Sequence, residues 1–274
     1  LGSAPLVALR RPDIGALLWA WVSTMNPHTL TYGFARFLPW AQVVALVTIF
    51  AFLTTPSRRH GLPNAAGLWL MAALVVWMSI TSVFSINPPE DVLERWIFVM
   101  KIFVMLFLTL WVLRGRTDIE RLIWVVALSI AFYGAKGGVW TVLTGGAGRV
   151  WGPPGGMIAG NNELGVALVV IMPWMYYLFA TSSNRWIKLA LVTSMVFMAF
   201  GILGTQSRGA LLALVAMAFV LGLKGKNPWR SSLALGLLVA IAIAFMPDSW
   251  TQRMDTIQGF REDTSAMSRL WTWQ

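Results

Sequence analysis

The eight residues Leu203-Gly204-Thr205-Gln206-Ser207-Arg208-Gly209-Ala210 place four polar side chains between two long apolar runs. One run covers residues 186–203 and the other covers residues 210–223, so neither side offers a soluble loop. The four polar residues must therefore lie at or within the boundary of a membrane. An arginine at that depth is costly unless it faces a protein cavity or an anionic partner. Arg208 is therefore the first candidate functional residue.

The composition extends this conclusion to the whole chain. The sequence is 57% hydrophobic and 12% charged, with a mean hydropathy of +0.68, whereas a soluble domain carries about 25% charged residues. A chain of 274 residues accommodates about nine helices of roughly 20 residues with short connections. We therefore predict an all-α fold, with residues 1–274 forming one polytopic integral membrane domain.

Nine apolar runs support this count. Because every backbone amide in a bilayer core must be satisfied internally, each run is predicted to be a helix. The chain starts without Met and stops soon after the last run, so we expect a fragment truncated at both ends, with residues 246–274 beginning a large outer loop. The runs lie at about residues 14–24, 37–54, 65–86, 96–113, 122–143, 164–180, 186–203, 209–223 and 231–246.

The distribution of Lys and Arg predicts the orientation. Connections rich in cations alternate with poorer ones, and the rich ones belong in the cytoplasm. The net charge of +10 therefore reflects the cations in the connections between membrane helices. We expect no nucleic-acid partner. Residues 161–163, residues 205–208 and the C-terminal tail then share the outer face. The cation-rich connections contain residues 10–11, 58–59, 114–121, 185–188 and 224–230.

Several cations fall on the outer side of the predicted helices. Lys101 and Lys136 either extend to the outer interface or join Arg149, Arg208 and Arg269 around an outward-facing polar cavity. Arginine carries a permanent charge and a planar fork that matches phosphate oxygens, so a phosphate on a membrane lipid is one partner that fits. The alternative is that Arg208 caps carbonyl groups or pairs with an acid such as Glu163 or Asp263.

Residues 144–163 form the connection richest in glycine and proline, which suits a loop that folds back into a cavity. Asn161, Asn162 and Glu163 are expected to supply the N-cap and first turn of the next helix. The glycine spacing matches neither a P-loop nor a dinucleotide fingerprint, so we predict no nucleotide cofactor.

Metal and thiol chemistry find no support in the sequence. There is no cysteine. His28 and His60 fall on opposite sides of the predicted membrane, and neither has a second ligand at helical spacing. Glu90 and Asp91 are expected to start a helix, where acids interact favourably with the helix dipole.

These residues together resemble the superfamily of O-antigen ligases and polymerases. The most specific likeness is Thr205-Gln206-Ser207-Arg208-Gly209-Ala210 leading into a helix, supported by Gly160-Asn161-Asn162-Glu163 and by residues 263–271. Met25-Asn26-Pro27-His28, Tyr32-Gly33-Phe34 and Asn87-Pro88 are more particularly similar to O-glycosylation ligases associated with exosortase A systems. The resemblance covers nearly the whole chain.

The resemblance implies a metal-independent, inverting glycosyltransferase of the bacterial inner membrane, with its active face in the periplasm. The donor would be a glycan on undecaprenyl diphosphate, and the acceptor a hydroxyl of a protein Ser or Thr or of a lipid core sugar. Arg208 and Arg269 would act on the diphosphate as it leaves. Membrane lipids would surround the protein. The substrate-binding candidates are Arg149, Lys136, Asn161, Asn162, Glu163, Gln206, Ser207 and Asp263.

The chain departs from the family pattern in one respect. The family's outer loop continues to a histidine thought to act as the base, and this chain ends first, leaving Asp263 or Glu163 as substitutes. Two other functions stay open. A lipid-linked polysaccharide polymerase shares the donor and differs in its acceptor. An organic-anion transporter also needs cations in a membrane cavity, although transporters often contain inverted repeats, and we find none.

Overall fold

The structure, a computed structural model, describes residues 9, 11–55 and 65–224, with side chains as far as residue 220. The predicted ninth run at residues 231–246, the loop at residues 246–274 and the candidates Asp263 and Arg269 lie outside the described residues. His60 lies outside them as well.

The described residues are helical, without a strand among them. Five of the helices, α3 to α7, are long and apolar enough to cross a membrane, and α2 and α8 are shorter apolar helices. These findings confirm an all-helical, multi-pass membrane protein, while the total of nine spans stays a prediction. The helices are α1 (Pro12–Met25), α2 (Trp40–Thr54), α3 (Ala66–Val83), α4 (Pro89–Val112), α5 (Arg116–Leu143), α6 (Asn161–Thr181), α7 (Arg185–Gly204) and α8 (Arg208–Lys224), with short 3-10 helices at Pro27–Leu30 and Gly33–Arg36.

The helix starts follow local chemistry. Helix α4 begins at Pro89, with Glu90 and Asp91 in its first turn, which confirms the prediction that these acids start a helix. Proline supplies the required φ at the first helical position, and the acids face the positive end of the helix dipole. At α7, Asn184 is the N-cap, and its side chain accepts a 2.8 Å hydrogen bond from the backbone N–H of Trp186.

The chain divides into two compact units. The first unit comprises Leu1–Ser23 and Pro27–Val125. Its apolar core lies between α1, α2 and α4, and the rings of Phe52 and Trp111 lie 5.1 Å apart there. Helix α3 has no buried residue within the described part of the chain, and it packs against α4.

The second unit comprises Thr24–Asn26 and Val126–Gln274. Helix α6 packs against both α7 and α8. Helices α5 and α7 meet backbone to backbone, because any Cβ on Gly138 would collide with the carbonyl of Phe197, and one on Gly201 would collide with the carbonyl of Gly134. Small residues allow membrane helices to approach this closely. This contact fixes the position of the C-terminal end of α7, where the polar turn begins.

Candidate functional site

The polar turn between α7 and α8 consists of Thr205, Gln206 and Ser207. Thr205 is fully buried, and its hydroxyl donates a 2.6 Å hydrogen bond to the carbonyl of Ile202. The Ser207 hydroxyl accepts a 3.2 Å bond from the N–H of Ala210, which is the N-cap arrangement for α8. Short side chains thus hydrogen-bond the backbone at both ends of the turn. Arg208 is the first residue of the helix that follows.

Gln206 occupies a strained backbone position at the centre of this turn. Its φ is +53°, in the left-handed region that costs a non-glycine residue about 1–2 kcal/mol. Its side-chain amide donates a 3.3 Å hydrogen bond to the carbonyl of Gly146. A glycine would adopt this conformation more easily, but it would have no amide with which to reach Gly146.

Asn161 connects helix α6 to the same turn. Its Nδ2 donates a 2.9 Å hydrogen bond to the carbonyl of Thr205, one of the carbonyls that the end of α7 leaves without a helical partner. Gly160 holds the N-cap position of α6. The expectation that an asparagine caps this helix is therefore wrong, and the amide of Asn161 is used for the turn instead.

The glycine-rich loop of residues 144–160 is joined to the turn at two points. The N–H of Val150 donates a 2.9 Å hydrogen bond to the carbonyl of Gly204, and the Gln206 amide reaches the carbonyl of Gly146. Arg149 lies between these two anchors and is half-buried. The backbone segments that carry Arg149 and Arg208 are therefore fixed against each other.

Close packing leaves the turn little room to move. Gly165 on α6 faces it, and a Cβ at that position would lie 2.6 Å from Cβ of Ala210 and 3.0 Å from Oγ1 of Thr205. A Cβ on Gly204 would collide with the hydroxyl of Thr141 on α5. The backbone on both sides of Arg208 is thus held by steric contact as well as by hydrogen bonds.

Arg208 lies at the end of α8 where the helix dipole disfavours a positive charge. It is half-buried at the N-terminus of α8, where the helix dipole is positive and favours anions. The first turn of α8 contains no acidic residue. An arginine at this position adds its charge to the positive end of the helix, a combination suited to an anionic group.

The remaining predicted site residues are less closely involved. Asn162 and Glu163 lie in the first turn of α6 and are exposed. Lys136 is also exposed, on the side of α5 opposite the glycines that pack against α7. Among the described residues, no hydrogen bond or ion pair joins these three side chains to the turn, and their part in substrate binding stays a prediction.

Sequence reasoning missed three residues that build the site. Gly146 and Val150 contribute backbone groups, and no side-chain pattern predicts such contacts. Gly165 is the third. The spacing of small residues along α5 and α7 was a usable signal for close helix contacts, and glycines at 134, 138 and 201 carry it.

A separate groove of about 480 Å³ lies between α3 and α4 in the first unit, beside Trp96 and Ser79. The indole Nε1 of Trp96 donates a 3.0 Å hydrogen bond to Oγ of Ser79, and the hydroxyls of Ser79 and Ser82 donate to carbonyls of their own helix. These hydrogen bonds satisfy the polar groups of Ser79, Ser82 and Trp96, and the groove presents mainly hydrocarbon. It offers none of the charge that phosphate chemistry needs.

Comparison with known families assigns the chain in two parts. Residues 2–183 match the family of unknown function DUF5935, and residues 193–274 match the O-antigen ligase family, Wzy_C. The chain belongs to the DUF5935 family. The second match supports the predicted membership of the O-antigen ligase superfamily. No curated protein sequence and no solved structure matches the chain.

The second match implies an enzyme of glycosyl transfer, a membrane ligase or polymerase of lipid-linked glycans. The site described above is built from both matched regions. The O-antigen ligase part supplies Gly204, Gln206 and Arg208, whereas the DUF5935 part supplies Asn161 and the loop that carries Arg149. The DUF5935 region therefore contributes residues to the candidate site.

Proposed function

We propose that the protein is a ligase-type glycosyltransferase of the bacterial inner membrane. It transfers a glycan from undecaprenyl diphosphate to an acceptor hydroxyl on the periplasmic face, either a protein Ser or Thr or a sugar of a lipid core. One observation supports this most strongly: Arg208 lies at the positive end of α8, on a turn hydrogen-bonded to Asn161 and to the loop of Arg149.

The chemistry follows from the charge at this turn. When the acceptor oxygen attacks the anomeric carbon, the bond to the diphosphate breaks and negative charge grows on the departing phosphate oxygen. Fixed cations and oriented N–H groups stabilise such charge most when they need not reorganise during the reaction. The hydrogen bonds of residues 204–207 supply that rigidity. Arg208 would contact the diphosphate, and Arg149 would add a second cation on the donor side.

The same proposal covers the stereochemistry at the anomeric carbon and the base that deprotonates the acceptor hydroxyl. Direct displacement at the anomeric carbon inverts it, and no covalent enzyme intermediate is needed. The acceptor hydroxyl must lose a proton as it attacks. We assign that proton to a base outside the described residues, and Asp263 or Glu163 is the substitute that this sequence offers. Arg269 cannot accept a proton and would instead stabilise the departing diphosphate, as Arg208 does. A polymerase would use the same donor site with a second glycan as acceptor.

The test measures binding of undecaprenyl diphosphate to the detergent-purified protein, with undecaprenyl monophosphate for comparison. Charge-assisted hydrogen bonds contribute about 1.5–3 kcal/mol, so Arg208→Ala should weaken diphosphate binding roughly 10- to 100-fold. Arg185→Ala, which removes an exposed cation at the other end of α7, is the matched control and should bind like wild type. Equal binding by wild type and Arg208→Ala would refute the assignment.

A further inference from the structure

The end of the first helix is built into the second unit. Residues 24–26 belong to that unit, while the rest of α1 belongs to the first. The hydroxyl of Tyr133 on α5 donates a 2.8 Å hydrogen bond to the carbonyl of Met25, across 108 residues of sequence. Asn26 follows, only 7% exposed, with a φ of +47°. The hydrogen bond to the Met25 carbonyl and the burial of Asn26 therefore hold residues 24–26 in place.

The side chain of Asn26 packs against the glycine-rich loop. Its Nδ2 lies 2.6 Å from the position that a Cβ on residue 156 would take, so any side chain there would have to displace the amide. Gly156 joins two tight turns, because its N–H donates to the carbonyl of Pro153 and its carbonyl accepts from the N–H of Ala159. The N–H of Gly152 donates to Ala159 and closes the turn.

Asn26 and Gln206 share a rare combination of properties. Among the described residues they are the two non-glycine positions with positive φ. Each carries a side-chain amide, and each amide lies against a glycine of the same loop, Asn26 at Gly156 and Gln206 at Gly146. Strained backbone persists where the surrounding structure demands it, and it concentrates at functional sites.

We infer that Asn26 is a positioning residue for the diphosphate site. Its amide lies against Gly156 in the turn of residues 152–159, and the same loop carries Arg149 and the Val150 anchor to Gly204. Asn26 acts on the lipid diphosphate through this loop and does not touch it. The inference rests on the proposed function for its ligand, while the contact between Asn26 and the loop stands independently of that function.

The first measurement is hydrogen exchange of the backbone amides of Val150, Gly152, Gly156 and Ala159. Asn26→Gly keeps the left-handed backbone accessible and removes only the amide. We expect these four amides to exchange at least tenfold faster in Asn26→Gly than in wild type, because local opening sets the exchange rate. Unchanged exchange would overturn the positioning role whatever the ligand is.

The second measurement is the affinity for undecaprenyl diphosphate in the same variants. Asn26→Gly should bind about tenfold more weakly, and Gly156→Ala, which leaves Asn26 in place, should do the same because its methyl group meets the amide. The double variant should bind several-fold better than Gly156→Ala alone, since the methyl then fills the vacated space. Additive losses in the double variant would overturn the inference.

These outcomes separate the two proposals. Wild type that binds no diphosphate, together with faster loop exchange in Asn26→Gly, refutes the donor site and leaves Asn26 as a clamp of the loop alone. Wild type that binds tightly and loses binding in Arg208→Ala, with Asn26→Gly unchanged in both measurements, refutes the positioning role alone. Gln42→Ala, which removes an exposed amide on α2 in the first unit, is the matched control and should leave both measurements unchanged.

Discussion

The side-chain amide of Asn161 donates a 2.9 Å hydrogen bond to the backbone carbonyl of Thr205, joining the first residue of α6 to the turn that leads into α8. The bond crosses 44 residues of sequence. It also joins the DUF5935 part of the chain to the O-antigen ligase part. The position of Arg208 therefore depends on a residue of the DUF5935 region.

Replacing Asn161 with aspartate tests this connection. The carboxylate cannot donate a hydrogen bond and would place negative charge against the carbonyl of Thr205. Leaving a buried carbonyl without its partner costs about 1–3 kcal/mol, so Asn161→Asp should lower the melting temperature and weaken binding of undecaprenyl diphosphate. Thermal unfolding and binding in detergent measure the two effects.

The neighbouring residue provides the control for this prediction. Asn162 is exposed in the same helical turn, so Asn162→Asp adds the same charge without breaking the bond to Thr205. Equal losses in the two aspartate variants would show that charge near the site, and not the lost hydrogen bond, causes the effect.

Arg208→Lys tests whether the shape of the cation matters. Lysine keeps the positive charge but presents a single ammonium group, whereas arginine presents a planar fork that binds two phosphate oxygens at once. We expect Arg208→Lys to fold like wild type and to fail to restore glycan transfer in cells that lack the native protein. Expression of the variant is checked by immunoblot. Full activity of the lysine variant would contradict the role of the fork.

Gly138→Ala tests the contact that fixes α7. A Cβ at this position would collide with the carbonyl of Phe197, and backbone moves less readily than a side chain. Overpacking of this kind costs about 1–3 kcal/mol, so we expect a clearly lower melting temperature and weaker diphosphate binding. Gly67→Ala in α3 is the matched control, because nothing lies within 4 Å of its Cβ position. Similar losses at both positions would exclude a specific effect of the contact.

The apolar runs predict the helices well and their polar ends poorly. Helix α4 begins at Pro89, seven residues before the predicted run, because Glu90, Asp91 and Glu94 interrupt the apolar pattern without interrupting the helix. Helix α5 likewise begins at Arg116 and carries an exposed ion pair between Arg116 and Glu120. A count of apolar residues detects the part of a helix that lies in lipid, whereas the hydrogen-bonded backbone extends beyond it.

The candidate site was likewise predictable only in part. Arg208 was predictable, because a charge between apolar runs is costly and needs a reason. The partners of its turn were not, because the contacts of Asn161 with Thr205 and of Asn26 with Gly156 join residues far apart in sequence. Such pairs depend on how the helices pack, and an asparagine looks the same in sequence whether it caps a helix or holds a distant carbonyl.

His28 provides a prediction about pH. Burial lowers the pKa of its imidazole, and its Nδ1 is buried without a hydrogen-bond partner in the described part of the chain. The folded protein therefore favours the neutral ring more than the unfolded chain does. The stabilising effect of this preference is complete above the unfolded pKa of about 6.5 and is lost as the pH falls below that value, because the unfolded state then binds more protons.

His28→Gln tests this dependence, since glutamine keeps a polar side chain that does not titrate between pH 5 and 8. Wild type should lose stability faster than His28→Gln as the pH is lowered from 7.5 to 5.5, and the two curves should run parallel above pH 7. Thermal unfolding in detergent at half-unit pH steps measures the difference. Because the ring is only partly buried, the effect should be small, and curves that stay parallel over the whole range would show that His28 keeps its ordinary pKa in the folded protein.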